Sequence, residues 1–85
     1  MAQPAKVKKG LETARQAKVK GASAAEARAT VGTWRTICDD PEASPDLRAL
    51  ATRYRGELEA AIVNGDTTAE EAALSALGAL TVTYA

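Results

Sequence analysis

The run SPDLRALATRYRGELEAAIVNG, residues 44–65, constrains the fold more than any other stretch of this chain. Ser44 is placed to act as an N-cap. Pro45 suits the first helical position, where its missing N–H costs nothing, and Asp46 complements the positive end of the helix dipole. Leu47, Leu50, Ala51, Tyr54, Leu58, Ala61 and Ile62 then make one apolar stripe at helical spacing, and Asn64–Gly65 ends it. The spacing predicts a helix over 45–64 with one face to bury.

The rest of the chain also reads as helix. Val7, Leu11 and Ala14 are spaced by four and three, which predicts a first helix over 5–20 whose polar surface is mostly lysine. Gly21 is expected to stop it in a left-handed conformation. Ser23 and Glu26 form an S-x-x-E capping box that opens a second helical segment over 23–38. A fourth helix is expected over 67–80, starting near Asp66 or Thr67, with Glu70 and Glu71 early and Ala73, Leu74, Leu77 and Leu80 on its apolar side. The tail TVTYA alternates and is β-branched, so a frayed end or a short strand is expected there. The expectation is one all-α domain over 1–85, with a basic N-terminal segment at 1–20: a small helical bundle of three long or four shorter helices.

Composition limits the core. Of 85 residues twenty are alanine, none is phenylalanine and one is tryptophan. The large apolar side chains are mainly Val7, Leu11, Val31, Trp34, Ile37, Leu47, Leu50, Tyr54, Leu58, Ile62, Leu74, Leu77 and Leu80. Burying each is worth roughly 1.5–3 kcal/mol, against about 1.5 kcal/mol to order each residue, so the two nearly cancel at this size. A homo-oligomer or a bound partner is therefore expected to supply the remainder. Trp34 is expected as a core anchor and Cys38 as a small buried hydrophobe.

The absences narrow the chemistry. With no histidine and one cysteine, imidazole catalysis, a Ser–His pair, a zinc knuckle and an internal disulfide are all excluded. No enzyme activity, metal or cofactor is expected. No stretch approaches eighteen apolar residues and no signal-peptide core is present, so a soluble, intracellular chain is expected; the apolar face of residues 5–20 is narrow and has no aromatic, so no membrane association is expected. The chain is expected in the cytoplasm, or in a host cytoplasm or virion if it is phage-encoded.

The net charge of zero conceals an asymmetry. Residues 1–20 carry Lys6, Lys8, Lys9, Arg15, Lys18 and Lys20 against Glu12 alone, a net +5. Residues 21–38 add +1, from Arg28 and Arg35 against Glu26, and residues 39–85 carry −6, from three bases and nine acids. A basic head on an acidic tail points to a polyanion contact at one end or to head-to-tail association of copies. Arg53 with Glu57, and Arg55 with Glu59, are i,i+4 pairs expected to do no more than decorate a surface.

The stretch GASAAEARATVGTWRTICDDPE, residues 21–42, supports two readings. Ala27, Val31, Trp34 and Cys38 make one helical stripe running straight through Gly32, and a mid-helix glycine costs only about 1 kcal/mol. Alternatively Gly32 is a tight turn between two short helices. Gly21, Ser23, Glu26 and Ala27, then Val31-Gly32-Thr33, Trp34 and Asp40-Pro41-Glu42, followed by LRALATRYRGELEAAI, resemble the helix-turn-helix segment of phage terminase small subunits and transposase-type DNA-binding domains. The resemblance covers about residues 17–60 and implies that Ala27 and Gly32 allow close helix approach. It further implies that Thr33, Arg35 and Thr36 face the major groove, while Arg28 and the lysines meet phosphate. The candidate nucleic-acid residues are thus Lys6, Lys8, Lys9, Lys18, Lys20, Arg28, Thr33, Arg35 and Thr36, and the expected partner is duplex DNA. The function expected on this basis is non-enzymatic DNA binding in a phage-type module. The alternative is a helical protein-interaction or assembly module of phage or bacterial origin without a nucleic-acid role.

Overall fold

Side-chain caps set the starts of three of the four helices. The structure is a computed structural model that describes residues 3–85, so the first two residues of the basic 1–20 segment lie outside it. It contains α1 (Ala5–Arg15), α2 (Ala24–Asp39), α3 (Pro45–Asn64) and α4 (Thr67–Thr83). Ser23 and Glu26 form the full reciprocal capping box of α2. The Glu26 N–H donates to Ser23 Oγ and the Ser23 N–H to Glu26 Oε1, each at 3.2 Å. Ser44 Oγ accepts from Leu47 N–H at 3.3 Å, and Asp66 Oδ1 accepts from Ala69 N–H at 3.1 Å. Each cap satisfies an amide that has no partner within its helix.

Helix α2 runs without a break through Gly32. The hydroxyls of Thr30, Thr33 and Thr36 donate to the carbonyls of Glu26, Ala29 and Gly32, four residues back in each case, a pattern available only in continuous helix. Only Gly21 and Gly65 have positive φ among the described residues. The tight turn at Gly32 is therefore not adopted, and the apolar stripe of α2 outweighs the glycine's poor helix propensity.

Two helix ends depart from expectation. The first helix stops at Arg15 instead of reaching residue 20. The Gln16 and Ala17 amides donate three residues back, to Thr13 and Ala14, which tightens and ends the helix. The connection then bends so that Val19 and Ala22 pack against the core, with Gly21 at φ 68° as a turn residue instead of a helix stop. At the other terminus α4 continues through Thr83, so TVTYA is neither frayed end nor strand. Thr81 is buried and Tyr84 packs on the core, extending the stripe of Leu74, Leu77 and Leu80 by a further turn. The Thr81 hydroxyl donates to Gly78 O at 2.6 Å, satisfying its buried polar group.

The end of α3 matches its sequence signal. Gly65, at φ 65°, donates to Ile62 O, and Asp66 N–H donates to Ala61 O, a Schellman closure in which the left-handed residue carries no Cβ. Asp66 then caps α4 at once, so a two-residue connection forces an antiparallel hairpin. Between α2 and α3 the segment 40–44 is held by Asp40, whose Oδ1 accepts from Glu42 N–H at 2.9 Å. Arg48 Nε donates to Cys38 O at 3.2 Å, covering an otherwise orphan carbonyl at the end of α2.

Each helix packs on the next and α4 closes on α1, while the backbones of α1 and α3, and of α2 and α4, do not approach each other. The result is a four-sided bundle measuring 35 × 20 × 18 Å. Trp34, Leu11, Ile37, Leu47, Leu58, Leu77 and Val7 fill its centre, with Val31, Leu50, Tyr54 and Ile62 half-buried at its margin. Cys38 is buried among them as a free thiol.

Candidate polyanion interface

The α1–α2 junction is close at Gly10, where a Cβ would lie 3.0 Å from Ile37 Cγ1. This approach leaves a shallow furrow along the outer side of the two helices. One depression of about 270 Å³ is lined by Lys6, Lys9, Gly10, Thr13, Thr33 and Thr36. A second, of about 250 Å³, shares Thr13 and Thr33 and continues over Ala17, Lys18, Glu26, Ala29 and Thr30. Five of the expected binding residues, Lys6, Lys9, Lys18, Thr33 and Thr36, thus come together on one face.

The other four lie elsewhere. Lys8 lines the α1–α4 side with Leu11, Glu12, Arg15, Thr81 and Ala85. Lys20 is exposed in the connection between α1 and α2. Arg28 and Arg35 line a depression of about 200 Å³ between α2 and α3, with Val31, Glu59, Ile62 and Val63. Arg35 forks onto Glu59, with Nε and Nη2 each 3.3 Å from its carboxylate oxygens, and Arg55 Nε reaches the same carboxylate at 3.5 Å. Arg53 lies over the Tyr54 ring, 5.5 Å from its centre, and makes no ion pair with Glu57 among the described residues.

With α2 continuous, Thr33, Arg35 and Thr36 are not carried on a separate recognition helix. Arg35 points toward α3, while Thr33 and Thr36 face α1. The threonine hydroxyls spend their protons on the helix backbone, so their oxygens can accept but do not donate outward. Among the described residues the positive charge in the furrow therefore comes from lysine. Among the described residues only Arg35 and Arg55 have a carboxylate within 4 Å, so Lys6, Lys9 and Lys18 are free to bind an anion. Trp34 is only 1% exposed and is unavailable for stacking.

Thr13 and Thr30 complete the furrow and were not singled out in the sequence. Thr30, Thr33 and Thr36 recur every three residues, and that stripe was the available signal. Glu26 is the one acid lining the furrow among the described residues. Its carboxyl lies below the ordinary value of 4.5, chiefly through the Ser23 backbone N–H, then the Ser23 hydroxyl, with a further contribution from the Lys18 ammonium.

A larger depression of about 430 Å³ lies between α3 and α4, floored by Ala60, Ala61, Ala69, Ala72, Ala73 and Ala76 and rimmed by Tyr54, Glu57, Asn64 and Asp66. Among the described residues no three His, Cys, Asp or Glu side chains gather as a metal set, and no helix is long and apolar enough to cross a membrane. Comparison of the chain with protein-family models, curated proteins and solved structures finds no match.

Proposed function

We propose that this protein is a non-enzymatic nucleic-acid-binding protein that holds duplex DNA by its phosphates, without reading base sequence, through the α1–α2 face. The observation that carries the reading is the placement of Lys6, Lys9 and Lys18 along one furrow with no carboxylate within 4 Å among the described residues. Ammonium groups on flexible stems suit phosphate as point charges, and exchanging condensed counterions for lysine drives such binding entropically. Sequence readout needs side chains that fork onto base edges. The arginine best suited to it, Arg35, is already forked onto Glu59. Single strands are bound largely by stacking on aromatics, and among the described residues no aromatic lines the furrow, which favours the duplex.

The test is a titration of labelled duplexes of unrelated sequence at several salt concentrations. Binding is expected to be equal across sequences, and each neutralised phosphate contributes about −0.9 to the slope of log affinity against log salt. Replacing Lys6, Lys9 and Lys18 with Gln should weaken every duplex alike and lower the slope by roughly two to three units. Arg35→Ala should leave affinity unchanged. Absence of duplex binding at low salt, or strong preference for one sequence lost in Arg35→Ala, overturns the proposal. The alternative, an assembly module, draws its support from the alanine-floored groove between α3 and α4.

A further inference from the structure

We infer that the α3–α4 groove receives the lysine-bearing α1 helix of a second copy of the chain, so that copies join head to tail. The inference does not depend on nucleic-acid binding.

The groove floor is made of methyl groups, with Ala61 and Ala73 buried and Ala60 and Ala72 exposed, so nothing bulky among the described residues fills it. Small side chains let a partner helix approach to the short end of the usual 8–10 Å interaxial range. The rim carries Glu57 and Asp66, both exposed, and neither has a cation within 4 Å among the described residues. The fitting occupant therefore pairs an apolar stem with a positive tip. Lysine has that form: its methylenes cover apolar surface while the ammonium stays at the edge. Lys6 and Lys9, two of the exposed lysines of α1, sit one helical turn apart and have no carboxylate within 4 Å among the described residues. In its own chain α1 packs on α2 and α4 and not on α3, so its lysines reach such a groove on another copy.

The charge pattern decides between two geometries of self-association. A two-fold contact of groove on groove brings Glu57 and Asp66 against their own copies, inside the half of the chain that carries −6. Like charges so placed oppose the contact. A head-to-tail contact instead sets the +6 of residues 1–38 against that −6. Such a contact uses two different patches, leaving one head and one groove free at the ends, so it extends instead of stopping at two.

The experiment is light scattering of the full chain, without nucleic acid, over a range of concentrations and at low and high salt. Two variants are used, both at exposed positions: Ala72→Arg obstructs the groove, and the double change Lys6→Glu with Lys9→Glu reverses the head. Circular dichroism of each should match the unaltered protein. Wild-type mass is expected to rise with concentration beyond a dimer and to fall to monomer at high salt. Each variant alone is expected to stay monomeric. An equimolar mixture of the two should form a 1:1 pair and stop there, since one supplies the only intact head and the other the only intact groove. Wild type that stays monomeric at low salt, Ala72→Arg that assembles like wild type, or a mixture that stays monomeric would each overturn the inference. A salt-resistant wild-type dimer would overturn it in favour of two-fold pairing. Ala72→Arg keeps Lys6, Lys9 and Lys18, so whether this unassembled variant still binds duplex DNA tests the furrow separately from assembly.

Discussion

Gly10 and Gly32 are the same residue type in helix interiors, yet their surroundings assign them opposite roles. Nothing lies within 4 Å of a Cβ built on Gly32, so an added methyl meets only solvent while the backbone gains helix propensity. Gly32→Ala should therefore raise stability by up to about 1 kcal/mol. At Gly10 the Cβ would already press on Ile37, which is 2% exposed and cannot swing away. Gly10→Val should lower stability by about 1–3 kcal/mol through overpacking, with α1 pushed off α2. Urea unfolding of the two variants checks both signs, and a destabilising Gly32→Ala would restore the turn reading. The sequence alone could not separate these glycines, because the distinction lies in which face of α2 meets α1. That face is set by Trp34 turning inward, which carries Thr33 and Thr36 to the α1 side and Arg35 to the α3 side.

At the level of the helices, what was legible tracks whether the signal is local. Ser44-Pro45 and Asn64-Gly65 bound α3 at the expected residues because caps and left-handed closures act within a few residues. The end of α1 at Arg15 and the extension of α4 to Thr83 follow from packing by Val19, Ala22, Thr81 and Tyr84, and no local rule reaches those contacts. The Lys6–Lys9 half of the furrow was legible from lysine spacing. Its α2 half needed the fold. The capping box of α2 adds a pH dependence of definite sign. Because the folded Glu26 carboxyl is held below its ordinary 4.5, a proton binds more readily to the unfolded chain. Its contribution to stability is complete above 4.5 and disappears as pH falls through the lower folded value. The gap in urea midpoint between wild type and Glu26→Gln should be widest near neutrality and should close in acid; a gap that widens in acid contradicts this assignment.

For the molecule as a whole, the four-sided arrangement means that each helix packs along its length on two neighbours, while the diagonal pairs make no backbone approach. Helix α1 is the shortest, at 11 residues, and contributes three buried side chains, Val7, Leu11 and Ala14. Helices α2, α3 and α4 follow one another through short connections and supply most of the buried side chains, among them Trp34, Ile37, Leu47, Leu58 and Leu77. The free energy of opening should therefore vary along the chain, with α1 released as a unit before global unfolding. Native-state hydrogen exchange should show the amides of residues 8–15 exchanging together and at least tenfold faster than those of residues 51–61, a gap of about 1.4 kcal/mol; equal rates in the two segments would count against it. The helix that carries Lys6 and Lys9 is then also the first to detach. An anion that grips those lysines holds α1 in place, and the protection of residues 8–15 becomes a gauge of how fully the furrow is occupied.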